Sequence, residues 1–230
     1  MANFVLVHGA WHGSWCWRPI VNRLQRDGHQ VVTPTITGLG DRSHLLSKHV
    51  DLHTHIDDVV NAVRWAEFDD FVLCGHSYGG AVITGVAERI ADRIQAIVYL
   101  DALLPEDGQS ACDAAGITPP ETGAWPPPPA SKFVIQDADM ERWVERMMTP
   151  HPLGSIIQAL EVRGAYQKIP RKTYVLAKKY FPSPFHRIYE LLKKSPSWNV
   201  LVADCGHHVM LDLPDLITAT LIAASQKPAT

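Results

Sequence analysis

The sequence predicts an α/β fold in which helices flank a mainly parallel sheet of six strands. Three observations lead to this expectation. Short apolar runs alternate with stretches of helical periodicity, which is typical of parallel α/β sheets. The glycine-rich hexapeptide GHSYGG at 75–80 joins one apolar run to one helical stretch. A proline-rich segment at 104–170 interrupts the alternation once, and the alternation resumes beyond it.

The predicted strands are continuous apolar runs, as expected for strands that are buried on both faces of a parallel sheet. They cover residues 4–7, 30–34, 71–74, 94–100, 173–177 and 200–203. Apolar side chains at helical spacing predict helices between the strands. These helices cover about 17–26, 51–67, 81–87, 184–194 and 214–225. Because crossovers between parallel strands are right-handed, the helices should flank the sheet.

The segment 104–170 differs in composition from the rest of the chain. It contains the run of four prolines at 126–129 and a single helical stretch at about 139–148. We expect residues 1–103 and 171–230 to form the core, with 104–170 as a lid insertion over the carboxyl edge of the sheet. A lid excludes water and shapes the substrate pocket. Aromatic and methionine side chains favour burial over a disordered linker. They are Trp125, Phe133, Trp143, Met147 and Met148.

The bulk composition excludes several classes of protein. Of the 230 residues, 46% are apolar and 20% are charged, as in ordinary globular proteins. A net charge of −3 without a basic run argues against a nucleic-acid-binding protein. The four cysteines lack metal-site or redox spacing, which favours a reduced, cytoplasmic setting. No apolar run reaches the ~20 residues of a membrane span, so we expect no membrane segment.

The hexapeptide at 75–80 predicts a nucleophile elbow, the sharp strand-to-helix turn G-x-S-x-G with a reactive serine at its apex. Ser77 should have a positive φ, which is strained for a residue that carries a side chain. Gly75 and Gly79 lack Cβ atoms, so the strand and the helix can approach closely on either side of the serine. The alternative is a purely structural glycine-rich turn.

The chain resembles the α/β-hydrolase superfamily along nearly its whole length. The residues that carry the resemblance are His8-Gly9-Ala10-Trp11, the hexapeptide at 75–80, and Gly206-His207 with Pro214 seven residues further on. More narrowly, the opening at 4–17 looks like the plant methyl-esterase and hydroxynitrile-lyase branch and its bacterial esterase relatives. The resemblance implies ester hydrolysis by a Ser-His-acid triad without a cofactor.

Within this resemblance, Ser77 is the expected nucleophile and His207 the expected base, because the family spacing to the following proline matches His207. The loop at 178–184, where the family commonly carries its acid, contains no carboxylate. Some relatives carry the acid after the preceding strand, where this chain has Asp101. We therefore expect Asp101 to be the acid rather than Asp204 or Asp212. The alternative for Asp101 is a structural turn carboxylate.

The oxyanion hole should use two backbone N–H groups. One belongs to Tyr78, the residue after the nucleophile, and the family match indicates Ala10 for the other. Four side chains are predicted pocket neighbours: Trp11, His208, Trp125 and Trp143. The aromatic side chains of the lid, together with Trp11, Trp15 and Tyr78, suggest a small apolar ester, aromatic esters included.

Two other functions stay open from the sequence. Hydroxynitrile lyases on this scaffold carry a lysine after the histidine and a threonine in the first loop, and this chain has His208 and Gly9 there. A non-catalytic small-molecule-binding protein is the second alternative. His53 and Asp57 would supply at most two metal ligands, so no metal is expected, and the resemblance implies no cofactor. The expected partner is a small-molecule ester, and a homodimer is left open.

Overall fold

The computed structural model describes residues 1–121 and 123–226, and its centre is a parallel sheet of six strands. The strand order across the sheet is β2-β1-β3-β4-β7-β8. The bounds are Asn3–Val7 for β1, Gln30–Val32 for β2, Phe71–His76 for β3, Ile94–Leu100 for β4, Lys172–Ala177 for β7 and Trp198–Ala203 for β8. The predicted α/β fold with a six-stranded sheet is confirmed.

The carboxyl ends of β2 and β3 differ from the prediction, and backbone hydrogen bonding explains both differences. The second strand ends at Val32 rather than at Pro34, since a proline has no N–H to give to a neighbouring strand. The third strand runs on through Gly75 to His76, because these residues continue the register with β4. The elbow therefore begins directly at the end of a fully buried central strand.

Helices cover both faces of the sheet, and the alternation of side chains along β1 shows the two faces. The helices are Arg18–Arg26 (α1), Leu52–Trp65 (α2), Gly79–Ile90 (α3), Pro184–Leu192 (α7), the short Val209–Asp212 (α8) and Pro214–Ser225 (α9). Val5 and Val7 pack into one apolar cluster together with α2, α3 and α7, whereas Phe4 and Leu6 pack into another with α1 and α9. Each predicted core helix is thus present.

The segment 104–170 contains short elements that pack on the core. They are α4 (Ala111–Ala115), β5 (Ala124–Trp125), α5 (Ala138–Met147), β6 (His151–Pro152) and α6 (Leu153–Ile157). Strands β5 and β6 pair antiparallel, apart from the main sheet. Phe133 and Met148 are buried. Within residues 1–121 and 123–226, no helix has the length and apolar character needed to cross a membrane.

Candidate active site

The sharp turn between β3 and α3 holds Ser77 in a strained conformation, with φ of 55°. The close packing around it requires glycine. A Cβ on Gly75 would lie 2.6 Å from the carbonyl oxygen of Gly79, and one on Gly79 would lie 2.7 Å from that of His8. Ser77 therefore lies at the apex of a turn whose conformation is restricted by close backbone contacts at Gly75 and Gly79.

A buried carboxylate and imidazole meet at the carboxyl ends of β4 and β8. Asp101 Oδ2 lies 2.6 Å from His207 Nδ1, although the two residues are 106 positions apart. The other carboxylate oxygen, Oδ1, accepts the N–H of Ala177 at 3.0 Å. Burial raises the pKa of Asp101, and the hydrogen bonds from His207 and Ala177 partly counter this. A carboxylate bonded to Nδ1 leaves His207 Nε2 as the nitrogen that can accept a proton.

The backbone of His207 is held from two sides. Its N–H donates to the carbonyl of Phe133 at 2.8 Å, and its carbonyl accepts from His76 Nε2 at 2.9 Å. A Cβ on the preceding Gly206 would lie 2.0 Å from the carbonyl oxygen of Val134. The 104–170 segment is thus in backbone contact with the loop that carries the imidazole.

Three aromatic rings stack on the imidazole of His207. The centroid of Tyr180 lies 4.5 Å away with an interplanar angle of 26°, that of Phe185 5.1 Å away at 10°, and that of Phe133 5.7 Å away at 24°. These rings restrict the imidazole to one plane.

A cavity of about 140 Å³ opens above these groups. Ser77, His207, Ala10 and Tyr78 all contribute to its wall. The remaining lining residues are Trp11, Leu103, Ala111, Ala115, Ile117, Trp125, Phe133, Ile156, Tyr180, Pro184 and Phe185. A larger open depression of about 720 Å³ lies beside Trp198, at the amino ends of β7 and β8 and away from Ser77. Ligands of open α/β sheets bind at the carboxyl ends of the strands, so the smaller cavity is the candidate site.

Two residues of the cavity wall have backbone N–H groups that can donate hydrogen bonds to a negatively charged oxygen. Tyr78 immediately precedes α3, where a helix N-terminus favours an anion. Ala10 lies in the loop after β1. In the part of the chain that the structure describes, neither N–H has a hydrogen-bond partner. The hydroxyl of Tyr78 is fixed by His55 Nδ1 at 2.8 Å, so this residue is held from its side chain as well.

Comparison with known proteins identifies the family. The model of a family described as "Alpha/beta hydrolase family" matches residues 4–220. This chain belongs to that family. It is 42% identical, over 97% of its own length and 99% of the other protein, to a carbendazim hydrolyzing esterase of Nocardioides sp. (strain SG-4G). The chain is accordingly an ester-cleaving α/β-hydrolase of the carboxylesterase type.

Two solved structures show the same fold. One is an extracellular α/β-hydrolase from a Paenibacillus species, with a TM-score of 0.83, 22% identity and coverage of 99% of this chain and 100% of the other. The second is the methylesterase MES16 from Arabidopsis, with a TM-score of 0.77, 22% identity and coverage of 97% and 98%. At this identity the likeness concerns the fold.

The structure places two of the hydrolase's predicted pocket residues elsewhere. His208 is fully buried and does not line the cavity, and its Nε2 lies 2.6 Å from His12 Nε2. Trp143 packs edge-on against Trp15, with ring centroids 4.9 Å apart, instead of lining the cavity. Neither side chain lines the cavity, because His208 bonds His12 and the half-buried Trp143 packs on Trp15. Trp11 and Trp125 do line the cavity, and Trp11 Nε1 donates to the carbonyl of Trp125 at 3.1 Å.

The sequence reasoning missed the aromatic rings on His207. Tyr180 and Phe185 lie on and just after the loop at the end of β7, which the sequence had marked only as lacking a carboxylate. The position of these residues after the carboxyl end of a strand was the available signal.

Asp57, one of the two metal ligands considered from the sequence, instead forms an ion pair with Arg89. Residues 1–121 and 123–226 contain no group of three or more His, Cys, Asp or Glu arranged as metal ligands.

Proposed function

We propose that this esterase is a serine hydrolase that cleaves small, uncharged carboxylic esters through an acyl-enzyme intermediate. Ser77 is the nucleophile, His207 the general base and acid, and Asp101 the residue that fixes the imidazole tautomer. The observation that carries the proposal is the 2.6 Å contact between His207 Nδ1 and Asp101 Oδ2, beside the cavity wall that His207 shares with Ser77.

In the first half-reaction, Ser77 Oγ attacks the ester carbonyl carbon while His207 Nε2 takes the serine proton. The carbonyl oxygen becomes an oxyanion and accepts hydrogen bonds from the N–H groups of Ala10 and Tyr78. When this intermediate collapses, the bond from carbon to the alcohol oxygen breaks. His207 returns its proton to that oxygen, and the alcohol leaves.

In the second half-reaction, His207 Nε2 takes a proton from a water molecule, whose oxygen attacks the acyl carbon. The bond from that carbon to Ser77 Oγ breaks, the serine regains its proton from His207, and the acid product is released. An imidazolium forms in both halves. Asp101 stabilises it.

The cavity supports a neutral substrate with one small apolar group. Its wall has no Lys, Arg, Asp or Glu among the residues that the structure describes. A volume of about 140 Å³ is comparable to the ~150 Å³ cavity that holds a single benzene ring. We therefore propose esters in which the buried group is one ring or a short chain. The Nocardioides relative is named for carbendazim, so that compound is a substrate candidate.

Two further properties belong to this proposal. The segment 104–170 acts as a lid, which is supported by its contribution of Trp125, Phe133 and Ile156 to the cavity wall. A cytoplasmic location is supported by the four buried cysteines, none of which forms a disulfide.

The deciding experiment combines turnover with labelling. The enzyme and its Ser77→Ala variant are assayed on p-nitrophenyl esters of increasing acyl length, on carbendazim and on mandelonitrile. We expect turnover of the short esters by the parent enzyme, loss of activity by at least a thousandfold in Ser77→Ala, and no cyanide release. The control variant is Ser197→Ala, on the exposed turn before β8.

Phenylmethylsulfonyl fluoride should modify the peptide that contains Ser77, and mass spectrometry locates the label. A label on another residue, or an active Ser77→Ala variant, would overturn the assignment of the nucleophile. Cyanide release faster than ester cleavage would favour the lyase instead.

A further inference from the structure

Two buried histidines bridge the loop after β1 and the loop after β8. His12 is 2% exposed and His208 is 0% exposed. Their Nε2 atoms are 2.6 Å apart, although 196 residues separate them in the sequence. The other ring nitrogen of His12, Nδ1, lies 2.6 Å from the carbonyl oxygen of Ala10. The bridge thus runs from the residue after His207 to the residue proposed as an oxyanion donor.

The direction of each hydrogen bond follows from the chemistry of the groups. A carbonyl oxygen only accepts, so His12 Nδ1 carries the hydrogen. Burial lowers the pKa of His12 to about 4, so the ring is neutral at pH 7 and has a single N–H. His12 Nε2 therefore accepts, and the donor is the Nε2–H of His208. For His208 Nδ1, the part of the chain that the structure describes supplies no partner.

A third histidine holds the peptide on the other side of Ala10. His8 Nδ1 donates to the carbonyl of Gly9 at 2.9 Å, and His8 Nε2 accepts the N–H of Ile36 at 3.2 Å. The Gly9 carbonyl belongs to the same peptide group as the Ala10 N–H. Since the peptide group is planar, fixing the carbonyl fixes the opposite direction of the N–H. The carbonyl groups on both sides of the Ala10 Cα are thus fixed by histidines.

We propose that His12 and His208 are positioning residues that hold the Ala10 N–H in register with His207, through the hydrogen bonds from His208 to His12 and from His12 to the Ala10 carbonyl. This inference rests on the proposed oxyanion role of the Ala10 N–H. His208 is covalently next to His207, so the bridge ties the oxyanion donor directly to the base. A transition state needs both groups at once, and a shift of about 1 Å can cost on the order of a hundredfold in rate.

The test uses variants that keep or remove one hydrogen bond each. His208→Met removes the donor to His12 and leaves His12 Nε2 unpaired in the interior. His208→Gln keeps an N–H near the position of Nε2. His12→Asn keeps a donor to the Ala10 carbonyl near the position of Nδ1 but cannot reach His208. The matched control is His49→Gln, an exposed histidine in the loop before α2.

We expect His208→Met to lower kcat for p-nitrophenyl butyrate about 10- to 100-fold, with KM changed less than threefold, because the oxyanion forms only after the attack. His208→Gln should recover most of this loss. The affinity of a trifluoromethyl ketone, whose adduct carries an oxyanion, should fall in parallel with kcat. Active-site titration gives rates per folded enzyme, so partial unfolding does not imitate the effect.

The double variant His12→Asn/His208→Met provides the coupling test. Because both single changes break the same hydrogen bond, their losses in kcat should combine to less than the product of the two. If the loss in kcat of the double variant equals the product of the two single losses, the proposed positioning role is contradicted. An unchanged kcat in His208→Met would contradict it as well. So would equal losses in kcat for His208→Gln and His208→Met. An active Ser77→Ala variant would instead overturn the proposed function, so the two failures are distinguishable.

Discussion

The contact between Asp101 and His207 makes Asp101→Asn the most informative single change. Asp101 Oδ1 accepts the N–H of Ala177 at 3.0 Å, and Oδ2 faces His207 Nδ1 at 2.6 Å. An asparagine of the same shape must keep its oxygen on the Ala177 N–H, because an amide NH₂ there would face another donor. Its NH₂ group then donates to His207 Nδ1. The imidazole hydrogen is forced onto Nε2, which can no longer accept the proton of Ser77.

The expected loss in kcat/KM is about 10³- to 10⁴-fold, which corresponds to about 4–5.5 kcal/mol of transition-state stabilisation. The assay is hydrolysis of p-nitrophenyl butyrate, with circular dichroism and thermal melting as checks of the fold. Asp204→Asn is the matched control, since Asp204 is exposed and its carboxylate lies 3.5 Å from Lys179 Nζ. A loss below tenfold in Asp101→Asn, in a folded enzyme, would refute the tautomer argument and assign the acid elsewhere.

Two further predictions concern stability. Burial lowers the pKa of His8 to about 3 and those of His12 and His55 to about 4, below their ordinary value of 6.5. Between about pH 4 and 6.5 the unfolded chain therefore binds more protons, so the free energy of unfolding falls as the pH falls. These three groups together should lower it by about 4 kcal/mol between pH 7.5 and 5.5. Burial also lowers the pKa values of His76, His151 and His208, which adds to the fall, whereas burial raises the pKa of Asp101, which opposes it. Urea midpoints at the two pH values measure this, and equal midpoints would contradict it. Gly206→Ala would place a Cβ 2.0 Å from the Val134 carbonyl oxygen, so we expect a loss of about 1–3 kcal/mol, or ~2–12 °C in Tm, together with reduced turnover. An unchanged Tm with full activity would show that the 104–170 segment moves to accept the added Cβ without loss of stability.

Much of the fold could be predicted from the sequence because its determinants are local. Continuous apolar runs indicated the six strands, and the structure confirms the sheet. The glycines at 75 and 79 indicated the close approach that the backbone distances now measure. Asp101 was predicted from the resemblance to the α/β-hydrolases, some of which carry the acid after this strand, together with the absence of a carboxylate at 178–184. Its role as the acid stays a prediction that the asparagine variant tests.

The side chains that meet at the site could not be predicted from the sequence, because these contacts join segments that are distant along the chain. Phe133 comes from the insertion and Phe185 from α7, yet both stack on His207. His208 was expected beside the substrate, but its ring turns to His12 and closes a buried hydrogen bond. No local pattern distinguishes a histidine that lines a cavity from one that bonds a partner 196 residues away.

The succession of strands and helices along the chain, the strained serine turn and the chemical types of the candidate residues follow from local sequence, since each depends on neighbours within a few positions. The side chains that surround His207 and the contacts that hold the Ala10 loop depend on the folded chain. The carboxyl ends of six parallel strands lie at one edge of the sheet, and the packing of distant segments selects which of the many side chains there come into contact.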